Sequence, residues 1–138
     1  MENPAIDPSP AIAHTLDSFH AAASRADFDG YFSAFTPDAV FLGTDATERW
    51  TVDEFKAYRR PYFDQGKGWT YLPRQRQVKP LGDVAWVDEV LENEKYGMCR
   101  GTALMVRDAD RGWLISRYSL AFLIPNDVAA EATALGKK

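Results

Sequence analysis

The stretch Val84-Ala85-Trp86-Val87-Asp88-Glu89-Val90-Leu91-Glu92-Asn93 decides the fold. Ala85, Val87, Glu89 and Leu91 fall on one side of an extended chain, which is the period of a strand and not of a helix. Turn signals bracket it, Leu81-Gly82-Asp83 before and Glu94 to Gly97 after, and another lies at Asp108 to Gly112. Working outward, strands are expected at 69–79, 84–93, 99–107 and 113–123, long enough for a bent antiparallel meander. Ile124-Pro125-Asn126 ends the sheet, and residues 127–138 read as a tail of short helix.

Upstream of the meander the period becomes helical. Ser9-Pro10 is a helix start, and Ile12, Leu16, Phe19 and Ala23 form one apolar stripe behind it. A second helix is expected near Asp27, with Phe28, Tyr31, Phe32 and Phe35 on one face. Thr36-Pro37-Asp38 should stop it, 39–42 reads as a short buried strand, and 43–50 reads as a connection. Thr51 with Glu54 makes a capping box for a third helix, whose inner face is Phe55, Tyr58 and Tyr62. Pro61 predicts a kink or an early end. The whole is an α+β order in which helices cover one face of a sheet. It divides into an arm over 1–8, a domain over 9–126 and a tail over 127–138.

The chain has 138 residues, 46% hydrophobic and 26% charged, which suits one globular domain. A net charge of −4 argues against nucleic acid, because phosphate binding needs a surplus of Lys and Arg. The lone Cys99 allows no internal disulfide, and no stretch reaches the roughly 20 apolar residues of a membrane span. The first residues lack the basic start and apolar run of a signal peptide, so the expectation is a cytoplasmic protein with no membrane partner. No metal is expected, since His14 and His20, six apart, lie on different sides of a helix and no Cys–His cluster exists. No phosphate loop supports a nucleotide, so no cofactor is expected.

On the final strand Tyr118, Leu120, Phe122 and Ile124 share one face, while Trp113, Ile115, Arg117 and Ser119 share the other. Neither face is polar enough to be simply solvated, so one is expected to close a pocket for a small organic molecule and the other to form a homodimer.

Several stretches resemble the SnoaL-like branch of the nuclear-transport-factor-2-like (NTF2-like) superfamily: Phe28-Asp29-Gly30-Tyr31-Phe32, Pro37-Asp38-Ala39-Val40-Phe41, 43–50, 82–89 and Gly112-Trp113-Leu114-Ile115. The resemblance covers about residues 10 to 126. It implies a cone-shaped roll, three N-terminal helices packed on a curved antiparallel sheet. Isomerases, dehydratases, polyketide cyclases and proteins without chemistry share that fold. Where part of the branch has a last-strand histidine, this chain has Arg117 and Ser119.

Ketosteroid-isomerase-like members use a carboxylate in an apolar pocket, where burial raises its pKa toward neutrality. By resemblance, Asp45 and Glu89 are the candidates for proton transfer. Asp45 sits in the connection after the first strand, and its structural alternative is a loop cap. Glu89 shares an apolar face, and its alternative is a buried ion pair with Arg76 or Arg100. Arg76, Arg100 and Arg117 are candidates for holding the anionic end of a ligand, with Trp50, Tyr58, Trp69 and Trp86 as an aromatic wall. Two readings stand: an isomerase-, dehydratase- or cyclase-type enzyme acting on a carbonyl or carboxylate compound, and a non-catalytic ligand-binding or dimerisation domain.

Overall fold

A computed structural model of the chain describes residues 6–137. Helix α1 (Ser9–Ser24) is followed by α2 (Phe28–Phe32), β1 (Phe35–Leu42), β2 (Arg49–Thr51) and α3 (Val52–Asp64). The meander is β3 (Leu72–Leu81), β4 (Val84–Asn93), β5 (Gly97–Asp108) and β6 (Gly112–Phe122). A 3-10 turn (Asn126–Val128) and α4 (Ala129–Gly136) close the described chain. The expected arm over 1–8 lies, for its first five residues, outside the described ones.

The six strands form one open sheet in the order β2-β1-β6-β5-β4-β3. It is a mixed sheet, because β1 returns beside β6 in parallel while every other pair is antiparallel. Three further expectations need correction. Pro37 lies inside β1, at a place where the ladder with β6 shifts register between Phe35 and Val40, so its missing N–H removes no bond from the sheet. Part of the expected connection forms the short strand β2. Pro61 lies within α3, which runs on to Asp64, since a proline in the last turn costs only one helical bond. The capping box of Thr51 and Glu54 is present as read.

The inner sheet face carries Ala85, Val87, Glu89 and Leu91 of β4, and α1 covers it with Ile12, Leu16, Phe19 and Ala23. Rings fill the space between: Phe19 stacks on Tyr31 at 4.4 Å, meets Phe35 edge-on at 5.3 Å and approaches Tyr118 at 5.3 Å. The middle of the cone is therefore solid. The register shift between β5 and β6 at Leu104/Met105 changes which residues of β6 face inward. Ile115 and Trp113 are buried on the same side as Tyr118, while Arg117 and Ser119 point outward.

Candidate functional site

Two arrangements of polar side chains stand out, one buried under α1 and one at the open end of the cone. Glu89 is only 1% exposed, opposite Arg76 in the β3–β4 register and Gly101 in the β4–β5 register. His20 Nε2 donates to its Oε2 at 2.6 Å, and the Tyr118 hydroxyl donates to the same oxygen at 2.7 Å. Arg76 Nε donates to Oε1 at 2.8 Å, and Arg76 Nη1 reaches Asp17 on α1 at 2.8 Å. Arg76 Nη2 also lies 2.8 Å from Oε1, but it is badly directed there, so Nε carries the bond. Burial pushes the Glu89 carboxyl up, yet the bond and charge of His20, the Tyr118 hydroxyl and the Arg76 charge outweigh burial and leave it below the ordinary value. Burial and the adjacent Glu89 push the Tyr118 phenol well up, so it stays a donor.

Gly101 makes room for this arrangement. A Cβ there would stand 1.9 Å from the Tyr118 hydroxyl oxygen. His20 continues the steps of four from Ile12 and Leu16, so its side chain enters the core from the same face of α1.

The hollow lies instead where α3 faces the far ends of β3, β4 and β6, as an open cleft of about 940 Å³. Phe41, Trp50, Phe55, Trp69, Leu120 and Phe122 supply its apolar wall. Gly68 lets the chain cross the end of α1 and deliver Trp69, because a Cβ at that position would stand 1.9 Å from the Ala23 carbonyl oxygen. Arg59 projects from α3 into the cleft, one turn beyond Phe55. Its guanidinium carbon sits 4.4 Å from the centroid of Trp69 and 4.8 Å from that of Tyr58. Tyr71 also lines the cleft, and burial pushes its phenol up to about 12.

Of the residues singled out from sequence, Trp50 and Trp69 stand on the cleft wall, and Tyr58 packs behind Trp50 at 4.8 Å. Glu89 and Arg76 meet each other under α1 and away from the cleft. Asp45 is exposed, and its Oδ1 accepts the Thr47 N–H at 2.9 Å and the Thr47 hydroxyl at 2.7 Å. Those two donors hold its carboxyl below the ordinary range, the geometry of a loop cap. Arg100 faces outward opposite Val90, and Arg117 faces outward opposite Leu104, so strand parity places both on the outer side of the sheet. Sequence reasoning missed Arg59, His20, Tyr118, Tyr71 and Glu48. Arg59 follows Phe55 by four and precedes Tyr62 by three, a helical spacing that was available as a signal. Glu48 lines the cleft, and its Oε1 accepts the Asp45 N–H. Cys99 is fully buried on β5, and no cluster of metal-binding side chains occurs among the described residues. Among those residues no helix is long and apolar enough to cross a membrane.

Helices packed on one face of a curved sheet, with a cleft at the open end, define an α+β cone-shaped roll of the nuclear-transport-factor-2-like type. The sequence profile of the SnoaL-like domain matches residues 12–125, and the chain belongs to that family. No curated protein sequence matches it. Among solved structures it is similar to an NTF2-like protein of unknown function from Pseudomonas putida KT2440 (TM-score 0.70, 14% identity, 86% of this chain and 89% of that one). It is also similar to an NTF2-like protein from Cytophaga hutchinsonii ATCC 33406 (0.69, 14%, 86% and 100%). A ketosteroid isomerase-like protein from Erwinia carotovora atroseptica SCRI1043 is a third (0.66, 20%, 86% and 98%). At these identities the likeness shows a shared fold.

Proposed function

We propose that the protein binds a small organic molecule in the cleft between α3 and the ends of β3, β4 and β6. The observation that carries this reading is the cleft itself, about 940 Å³ with Trp50, Phe55 and Trp69 on its wall. Its size and mix of apolar and polar lining suit a drug-sized ligand. The geometry favours binding over proton transfer by the two carboxylates named from sequence. Neither Asp45 nor Glu89 lines the cleft, and both are held in the ionised form by hydrogen bonds. A ligand-observed NMR screen of small organic compounds tests this, run on the wild type and on Leu120→Trp, which fills the cleft. Hits that vanish in Leu120→Trp and survive in Asp45→Asn and Glu89→Gln support the reading. An empty screen, or hits indifferent to Leu120→Trp, refutes it.

The outer sheet face supports a second element of the proposal, a homodimer. Trp86 is 53% exposed there and sits opposite Leu104, which is 40% exposed, with Val84 beside them. A cross-strand apolar patch of this kind is suited to a second copy of the same face. Light scattering should give twice the 15.5 kDa of one chain, and Trp86→Glu should return the monomer mass. A wild-type monomer at micromolar concentration would contradict it.

A further inference from the structure

Resting on the reading of the cleft as a ligand site, we infer that its ligand is an amphipathic organic monoanion, an aromatic carboxylate whose charged end is held by Arg59. Three arginines of the fold are held by acids: Arg76 by Glu89 and Asp17, Arg74 by Glu92, and Arg25 by Asp27. Arg59 has none among the described residues. Its guanidinium is enclosed by rings instead, with Trp69 and Tyr58 closest and Phe55 and Tyr62 each at 5.7 Å.

A ring face offsets part of the cost of holding a positive charge there, but it satisfies few of the five N–H donors around the guanidinium's edge. Nε is buried with no partner. The terminal nitrogens make no hydrogen bond among the described residues either, and the residue lines the cleft. A planar fork of donors presented into an aromatic-walled cleft is the arrangement that a carboxylate matches with two parallel bonds. Phe41, Trp50, Leu120 and Phe122 on the same wall offer an apolar body its place, so the complementary molecule joins a flat ring to a single carboxylate.

The other charges of the lining argue for one negative charge over two. Glu48, Glu92 and Glu94 stand in the same lining, and Arg74 is committed to Glu92. A phosphomonoester, with a charge of about −1.5 to −2 at neutral pH, would face those carboxylates with Arg59 and the lysines Lys67 and Lys95 as its cations.

Cinnamate and its neutral amide, cinnamamide, have nearly the same shape and differ in charge. Calorimetric titration of the full chain should show cinnamate binding at least about tenfold more tightly, as charge-assisted bonds to a guanidinium predict. The preference should weaken in high salt, shrink in Arg59→Lys and disappear in Arg59→Gln. Because Arg59 has no acidic partner to strand, Arg59→Gln is expected to unfold at the wild-type temperature or above, and an unchanged near-UV circular dichroism spectrum would show the cleft intact. Equal binding of acid and amide, or a preference that survives Arg59→Gln, overturns the inference and leaves the cleft as a site for neutral molecules. Binding of neither probe overturns it as well, and the compound screen then decides separately whether the cleft binds anything.

Discussion

Replacing Glu89 tests the buried arrangement most directly, because His20, Tyr118 and Arg76 all donate to it. In Glu89→Ala the Arg76 guanidinium keeps Asp17 but loses its only fully buried partner, and the His20 and Tyr118 donors lose theirs. Breaking a buried ion pair by removing one member costs about 3–5 kcal/mol. Each stranded buried donor adds about 1–3 kcal/mol when taken alone. These losses overlap, since Asp17 and water reach part of the vacated space, so a total of about 4 kcal/mol is expected. Glu89→Gln keeps the shape and one acceptor, which can serve Arg76 or the His20–Tyr118 pair but not both, so about 2 kcal/mol is expected. Urea unfolding followed by tryptophan fluorescence reads both. A loss below about 1 kcal/mol in Glu89→Ala would refute the network as a stabilising unit. So would strict additivity with Arg76→Met, because partners in one network must couple.

The same residue predicts an acid limb. Its folded pKa lies below the ordinary value of 4.5, so the folded protein resists taking up a proton that the unfolded chain accepts. That share of the stability is fully present above pH 4.5 and is lost as pH falls from there through the lower folded value. The gap between wild type and Glu89→Gln should therefore be widest near neutrality and close in acid. A gap that widens on acidification would mean that the carboxyl is not held ionised.

Two smaller changes probe the geometry. Gly101→Ala places a Cβ against the Tyr118 hydroxyl, and displacing that ring from Glu89 should cost about 2–3 kcal/mol in the same urea assay. Ala26 ends α1 with φ of 57°, and the N–H of its neighbour Asp27 donates back to the Ala22 carbonyl, the bonding of a glycine-type C-cap. Ala26→Gly should relieve that strain and raise stability by about 0.5–1 kcal/mol, read as a higher thermal midpoint.

How far the sequence could be read depended on whether its pattern stayed in phase. Strand β4 runs from Val84 to Asn93 as read, because its alternation is unbroken and Gly82, at φ 65°, opens it with a turn only glycine favours. Strand β6 defeated the same reasoning. Its register shift inserts one residue, so the faces expected for Trp113 and Ile115 reverse while Tyr118 keeps its own. The pairing of Glu89 with Arg76 was legible as one alternative, since both belong to alternating strands. His20 was not: the spacing of two histidines bears on metal binding, whereas the signal lay in the apolar stripe that His20 extends. Helical spacing could place Arg59 beside Phe55 and Tyr62, but what distinguishes it, a buried Nε without a partner in a ring-lined cleft, leaves no trace in spacing.

The division between a buried network and an open cleft bears on what the fold can do. A carboxylate that shuttles protons near neutral pH needs burial without strong donors, so that its pKa rises, and it needs reach to the reacting atom. Glu89 has burial with three donating side chains around it, and its pKa moves the other way. Its position suits a clamp. Through His20 and, by way of Arg76, Asp17, it pins two points of α1 to the sheet, and through Tyr118 it fixes a ring that stacks on Phe41 at 5.8 Å. Phe41 in turn stacks on Phe55 at 4.6 Å, and both rings form part of the cleft wall. The charge under α1 therefore serves to hold the cleft wall in place, while in the proposed complex the cation that meets the ligand is Arg59.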